Sequence, residues 1–159
     1  MRIALGSDHA GFDLKQSLLA YVRTLGHEAI DLGAHRLDPA DDFVDYAVAV
    51  GNCVREGRAD RGILFCGSGV GATVAANKIP DIIACVCHDA YSARQGVEHD
   101  AMNILVLGGR VVGPALAEEL VASFLKASFS GEERHVRRLR KLSALDEAKR
   151  RDSRSTGQA

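Results

Sequence analysis

The sequence predicts an α/β fold built on a parallel sheet. Short continuous apolar runs alternate with longer segments of helical period, the pattern of repeated strand–helix units. The run Gly62-Ile63-Leu64-Phe65 also lacks the in–out alternation of a strand with one wet face, so it reads as covered on both sides. A chain of 159 residues fits one domain and can bury a core without staples. With no Trp and only 5% aromatic residues, that core must rest on Ala, Val, Leu and Ile.

Residues 2–6 read as a buried strand. Residues 10–25 follow as a helix, with Phe12, Leu14, Leu18, Leu19, Val22 and Leu25 on one stripe and Gly26 closing it. Residues 27–32 form a second strand ended by Gly33, and 36–42 a polar, Pro-containing loop. A helix over 44–56 is stopped by Gly57, and 61–65 is the third strand. A glycine-rich turn leads into a helix over 69–77. Strands over 82–87 and 103–107 flank a helix near 90–97, and 114–129 is an amphipathic helix with Pro in its first turn.

Beyond Gly131 the composition shifts to Arg and Lys, while Val136, Leu139, Leu142 and Leu145 keep helical spacing. That predicts a helical arm over 130–150 whose apolar edge packs on another subunit. The domain spans 1–150, and 151–159 reads as a disordered tail.

The net charge of −1 gives no global field for nucleic acid or membrane. No run suits a signal peptide or a membrane span, so a cytoplasmic protein is expected. Cys53, Cys66, Cys85 and Cys87 show no disulfide-framework spacing. Cys85 and Cys87 read as small core residues on one strand face.

In open α/β sheets ligands bind beyond the carboxyl ends of the strands. Polar and reactive residues collect there: Gly6-Ser7-Asp8-His9-Ala10-Gly11, Cys66-Gly67-Ser68-Gly69-Val70-Gly71, His88-Asp89 and Gly108-Gly109-Arg110. Glycines 67, 69 and 71 leave backbone N–H groups free to face an anion, and a helix start there would favour the Cys66 thiolate. Ser68 could donate to that thiolate or to a substrate. The competing reading is a tight turn with an inert cysteine. A third is a dinucleotide site over 67–72 with Asp89 as its acid, although the turn follows the third strand rather than the first.

Asp8-His9 suits a helix cap, a metal pair or a substrate clamp. His27 and His35 read as structural or surface residues. His99-Asp100 is expected in a loop between helix and strand, where a histidine is more often functional. Arg134 and Arg138 lie one helical turn apart and suit a phosphate dianion, with Arg137 and Arg140 beside them. A solvated face and a nucleic-acid stripe are the alternatives, and no aromatics interleave to favour the latter.

Taken together, these stretches resemble the type B ribose-5-phosphate isomerase family, which includes galactose-6-phosphate isomerase subunits. The resemblance is carried by Gly6-Ser7-Asp8-His9-Ala10-Gly11-Phe12, Gly67-Ser68-Gly69-Val70-Gly71, Ala75-Ala76-Asn77-Lys78, Tyr91-Ser92-Ala93 with Glu98-His99, Gly109-Arg110-Val111-Val112-Gly113, and Arg134-His135 with Arg138. It implies a Rossmann-like three-layer sandwich with a five-stranded parallel sheet, in a homodimer or dimer of dimers with active sites at the interface. It implies aldose–ketose isomerisation of a sugar phosphate through an enediolate, without metal, nucleotide or other cofactor. Carried onto this chain, Cys66 is the base and His99 assists ring opening. Asp8 and His9 contact substrate, residues 67–71 hold the oxyanion, and Arg110, Arg134 and Arg138 bind phosphate. Some family members place a glutamate base where this chain has Ala72. The family often has Asn where this chain has Asp100, a carboxylate that would repel an enediolate unless protonated or turned to a hydroxyl. Asp100 and the wall over 91–95 are where a four-, five- or six-carbon sugar would be chosen.

Overall fold

The computed structural model describes residues 1–156, with side chains described through Leu145. The chain runs β1 (Arg2–Ser7), α1 (Phe12–Thr24), β2 (Glu28–Asp31), α2 (Phe43–Arg55), β3 (Arg61–Cys66) and α3 (Val70–Ala76). It continues through β4 (Ala84–Val86), α4 (Ala90–Asp100), β5 (Ile104–Gly108), α5 (Pro114–Lys126) and α6 (Glu133–Thr156). All strand pairs are parallel, in the order β2-β1-β3-β5-β4. In register, Ser7 stands beside Phe65 and Cys66 beside Gly108, so the carboxyl ends of β1, β3 and β5 finish level.

Alternating residues of the inner strands enter two separate cores. Ile3, Leu5, Ile63, Phe65, Leu105 and Leu107 pack with Leu14, Leu18 and Val22 of α1 and Leu120 and Phe124 of α5. Ala4, Leu64, Ile104 and Val106 turn the other way, onto Ala47 and Val50 of α2 and Ala72 and Ala76 of α3. Both faces are covered, which is why the inner strands carry unbroken apolar runs. Asp42 caps α2 by accepting the Val44 N–H at 3.1 Å, Asp89 caps α4 from Ser92 at 2.7 Å, and α5 opens on Pro114.

One buried cation interrupts the apolar face of α1. Lys15 is fully enclosed, and its Nζ donates to Asp31 Oδ1 at 2.6 Å and to the Ala34 carbonyl at 2.8 Å. Asp31 Oδ1 also accepts the Gly33 N–H at 3.0 Å. The lysine thus ties α1 to the end of β2 and fixes the start of the segment that leads toward the sheet's carboxyl edge.

Two sequence expectations change here. Cys85 is exposed, because β4 is the edge strand, whereas Cys87 lies past the end of β4 and turns into the core. The arm is longer than expected: α6 runs through Thr156, past residue 151 where a tail was expected, and residues 157–159 lie outside those described. Among the described residues no helix is long and apolar enough to cross a membrane.

Candidate active site

Three turns meet where β1, β3 and β5 end. After β1, Asp8 Oδ1 accepts the N–H groups of Ala10 and Gly11 at 2.9 and 3.0 Å. Asp8 is 6% exposed, and burial raises the pKa of its carboxyl against the lowering effect of those N–H groups. After β3, Cys66 Sγ accepts the Gly69 N–H at 3.1 Å. Gly69 has φ +86°, and a Cβ there would stand 2.6 Å from Val86, so only glycine fits this turn. After β5, the Gly109 N–H donates to the Cys66 carbonyl at 2.8 Å and Arg110 N–H to Gly67 at 3.0 Å. A side chain on Gly109 would meet the Ala10 carbonyl at 2.7 Å. The turns lock together through their backbones.

They enclose a cavity of about 410 Å³ lined by Asp8, His9, Ala10, Phe43, Cys66, Gly67, Ser68, Gly71, Arg110 and Val111. It opens at the switch point between β1 and β3, where the fold places ligands. Cys66 is 5% exposed, so its sulfur is sheltered from bulk water while bordering the cavity. Ser68 is exposed and its Oγ accepts the Val70 N–H at 3.3 Å. Gly69 and Val70 shape the turn without lining the cavity. Of the readings of Asp8, the helix cap does not hold: α1 is capped at Gly11 without a side-chain hydrogen bond, while the Asp8 carboxyl holds the turn before it and Asp8 lines the cavity.

Sequence reasoning missed Asp41, Phe43 and Val111. His9 backbone N–H and ring Nδ1 both meet Asp41 Oδ1, at 2.9 and 2.7 Å. Asp41 lies in the polar segment between β2 and α2, ten residues past the end of the strand. Burial pushes its carboxyl up, but hydrogen bonds from the His9 backbone and ring, with Tyr46 close by, hold it below the ordinary carboxylate value.

A second cluster forms on α4 and α6. His99 and Asp100 belong to the last turn of α4 rather than a loop, since the helix continues through Asp100 to a cap at Ala101. His99 stacks on His135 with ring centroids 4.1 Å apart, and its Nδ1 lies 2.8 Å from Gln95 Nε2. His135 is buried and its Nδ1 pairs with Ser130 Oγ at 2.7 Å, with Arg134 and Arg138 near enough for their charges to act on it. Arg134 Nε pairs with Glu132 at 2.8 Å. His99, Asp100, Arg134 and Arg138 do not line the Cys66 cavity of their own chain, nor does the exposed Tyr91. Asp89, the acid of the dinucleotide reading, is engaged as the α4 cap. Among the described residues no group of three or more His, Cys, Asp or Glu side chains could hold a metal ion.

The chain is similar to known proteins over most of its length. The Ribose/Galactose Isomerase family profile matches residues 3–142. Ribose-5-phosphate isomerase B of Escherichia coli is 40% identical over 146 residues, 92% of this chain and 97% of that one. D-erythrulose-4-phosphate isomerase of Pectobacterium atrosepticum is 36% identical over 134 residues, 82% and 86% of the two chains. The solved structure of ribose-5-phosphate isomerase B from Clostridium thermocellum superposes with a TM-score of 0.90 at 42% identity, over 93% of this chain and 99% of that one. With a profile match across nearly the whole domain and relatives of this similarity, the chain belongs to the ribose/galactose isomerase family.

Proposed function

We propose that this protein interconverts ribose 5-phosphate and ribulose 5-phosphate through a cis-enediolate, with Cys66 as the base. The observation that carries the reading is that Cys66 lines one cavity together with Asp8, His9, Ser68 and Arg110. Moving a proton between adjacent carbons beside a carbonyl needs a base poised over both and fixed donors for the developing oxyanion. Cys66 supplies the base. Ser68 and the first-turn amides of α3, which have no intrahelical partners, supply the donors. Ala72, in the position where some relatives carry a glutamate, has no acid–base capacity.

Arg110 is the phosphate ligand within the cavity, and Arg134 and Arg138 complete it from a second copy of the chain. Two half-sites on one chain support that reading. Asp8, His9, Cys66 and Arg110 lie at the sheet end, while His99, Asp100, Arg134 and Arg138 lie with α4 and α6. A two-fold dimer brings one of each kind together twice. Val70 and Val74 on α3, with Val111 at the cavity mouth, are exposed apolar residues that such a partner would cover. His99 of the second copy then assists ring opening, and Asp100 meets a sugar hydroxyl.

The same chemistry on a four-carbon sugar phosphate is the second reading, favoured by the similarity to the Pectobacterium relative. The test is an isomerase assay on four-, five- and six-carbon aldose phosphates with a chelator present. Fastest turnover of ribose 5-phosphate is expected. Preference for a four-carbon substrate would replace the first reading with the second, and activity lost to the chelator would revive a metal role for Asp8 and His9.

A further inference from the structure

The cavity holds a paired side chain whose partner the reaction scheme above leaves idle. His9 is gripped twice by one oxygen, through its backbone N–H and its ring Nδ1. That oxygen belongs to Asp41, whose side chain is only 7% exposed and which comes from a different segment, between β2 and α2. Tyr46 of α2 touches the same carboxyl. An ionised carboxylate only accepts hydrogen bonds, so the hydrogen sits on Nδ1. Nε2 has no hydrogen-bond partner among the described residues, and His9 is one of the residues that line the cavity with Cys66. Capping of α1 does not use the pair, because that helix starts at Gly11 without any side-chain cap hydrogen bond.

We propose that Asp41 is a positioning residue for the isomerisation, holding His9 as the Nδ1–H tautomer so that Nε2 exchanges a hydroxyl proton with the substrate oxygens. This rests on the isomerase reading and adds what that reading lacks, a carrier for the proton that must leave O2 and reach O1. The Cys66 thiolate takes the proton from C2; that C–H pair forms the C1–C2 double bond, and the carbonyl pair moves onto O1. Nε2 takes the O2 hydroxyl proton, Asp41 balances the imidazolium, and the proton passes to O1. The O2 pair then closes the new carbonyl at C2, and the double-bond pair takes the proton back from Cys66 at C1. Cys66 and His9 end as they began. A fixed ring is needed because both oxygens must be reached by one nitrogen without reorientation.

Nitrogen-15 NMR of the imidazoles, with His9 assigned by its loss in His9→Gln, reads the tautomer without substrate. The expected result is an Nδ1–H tautomer in the wild-type protein and a mixture of tautomers in Asp41→Ala. In steady-state kinetics Asp41→Asn, which keeps the side-chain shape, should lower kcat roughly 10–100-fold with KM changed less than about threefold. The combined Asp41→Asn/His9→Gln variant should be no slower than His9→Gln alone, because the two act as one unit. An Nε2–H tautomer in the wild type, or an unchanged kcat in Asp41→Asn, overturns the proposal. Inactivity of the wild type on every sugar phosphate would instead sink the isomerase reading, while the tautomer still decides what Asp41 does to His9.

Discussion

Cys66 joins two properties: it is only 5% exposed, and its sulfur accepts a hydrogen bond from a backbone N–H, that of Gly69. A buried inert cysteine has no need of that donor, whereas a thiolate base does. Cys66→Ser keeps the volume and the Gly69 contact but lacks a base of comparable acidity. The expected outcome is a fall in kcat of about 10³-fold or more with a melting temperature within ~2 °C of wild type, read from initial rates and a thermal melt. Near-normal turnover would remove Cys66 as base. At this scale the sequence was legible wherever chemistry follows chain order. Asp8, His9, Cys66 and Arg110 each stand at or just past the end of a strand, and the strand-end rule points to them with no structure in hand. Asp41 escaped because it lies ten residues past the end of β2 in a polar loop, and its partner His9 is 32 positions away. Lys15 escaped for the opposite reason: it sits in a helix whose stripe reads as apolar, and only the fold shows that Asp31 and the Ala34 carbonyl wait for it.

Helices and strands were readable from period, and their junctions were not. The two inner cores follow from alternation within β1, β3 and β5, each residue type pointing where its neighbours require. The end of α4 was misread because Glu98, His99 and Asp100 carry no helical stripe, yet hydrogen bonding continues to an Ala101 cap in the left-handed region. The placement matters, since helical geometry is what stacks His99 on His135 and assembles the α4–α6 cluster. The α1–β2 junction gives an energetic test of the same lesson. Replacing Lys15 by Met fills the space but leaves the Ala34 carbonyl without its donor and the partly buried Asp31 without its cation. Lys15→Met is expected to cost roughly 2–3 kcal/mol, measured as a lowered urea midpoint with unchanged slope. A neutral effect would mean that the buried ion pair and its desolvation cancel at this site. Because Lys15 anchors the segment leading to Asp41, the variant should also lower kcat more than a surface change of equal stability cost.

Over the whole molecule, two kinds of dependence separate folding from catalysis. The carboxyls of Asp31 and Asp41 are held below their ordinary value of 3.8: burial opposes ionisation, and hydrogen bonds from Lys15 and Gly33, or from the His9 backbone and ring, outweigh it. A depressed carboxyl stabilises the fold above the unfolded value and loses that contribution as pH falls through the folded value. Asp8 is raised and works in the other direction, gaining favour on protonation. Stability is therefore expected to hold down to about pH 4 and to fall below it, and a urea series across that range should show a shallower fall in Asp31→Asn. Catalysis should depend on association instead. If each site takes Cys66 from one copy and Arg134 with Arg138 from the other, two inactive variants can rescue one another. Cys66→Ser mixed in equal amount with an Arg134→Ala/Arg138→Ala variant and refolded together gives half hybrid dimers. Each hybrid holds one intact site and one site broken twice, so about a quarter of wild-type activity should return. Sites contained within single chains predict no recovery at all, because every chain in the mixture then carries a broken site. Recovery that appears only after co-refolding, and not on mixing the finished proteins, would place the two half-sites across a stable dimer interface.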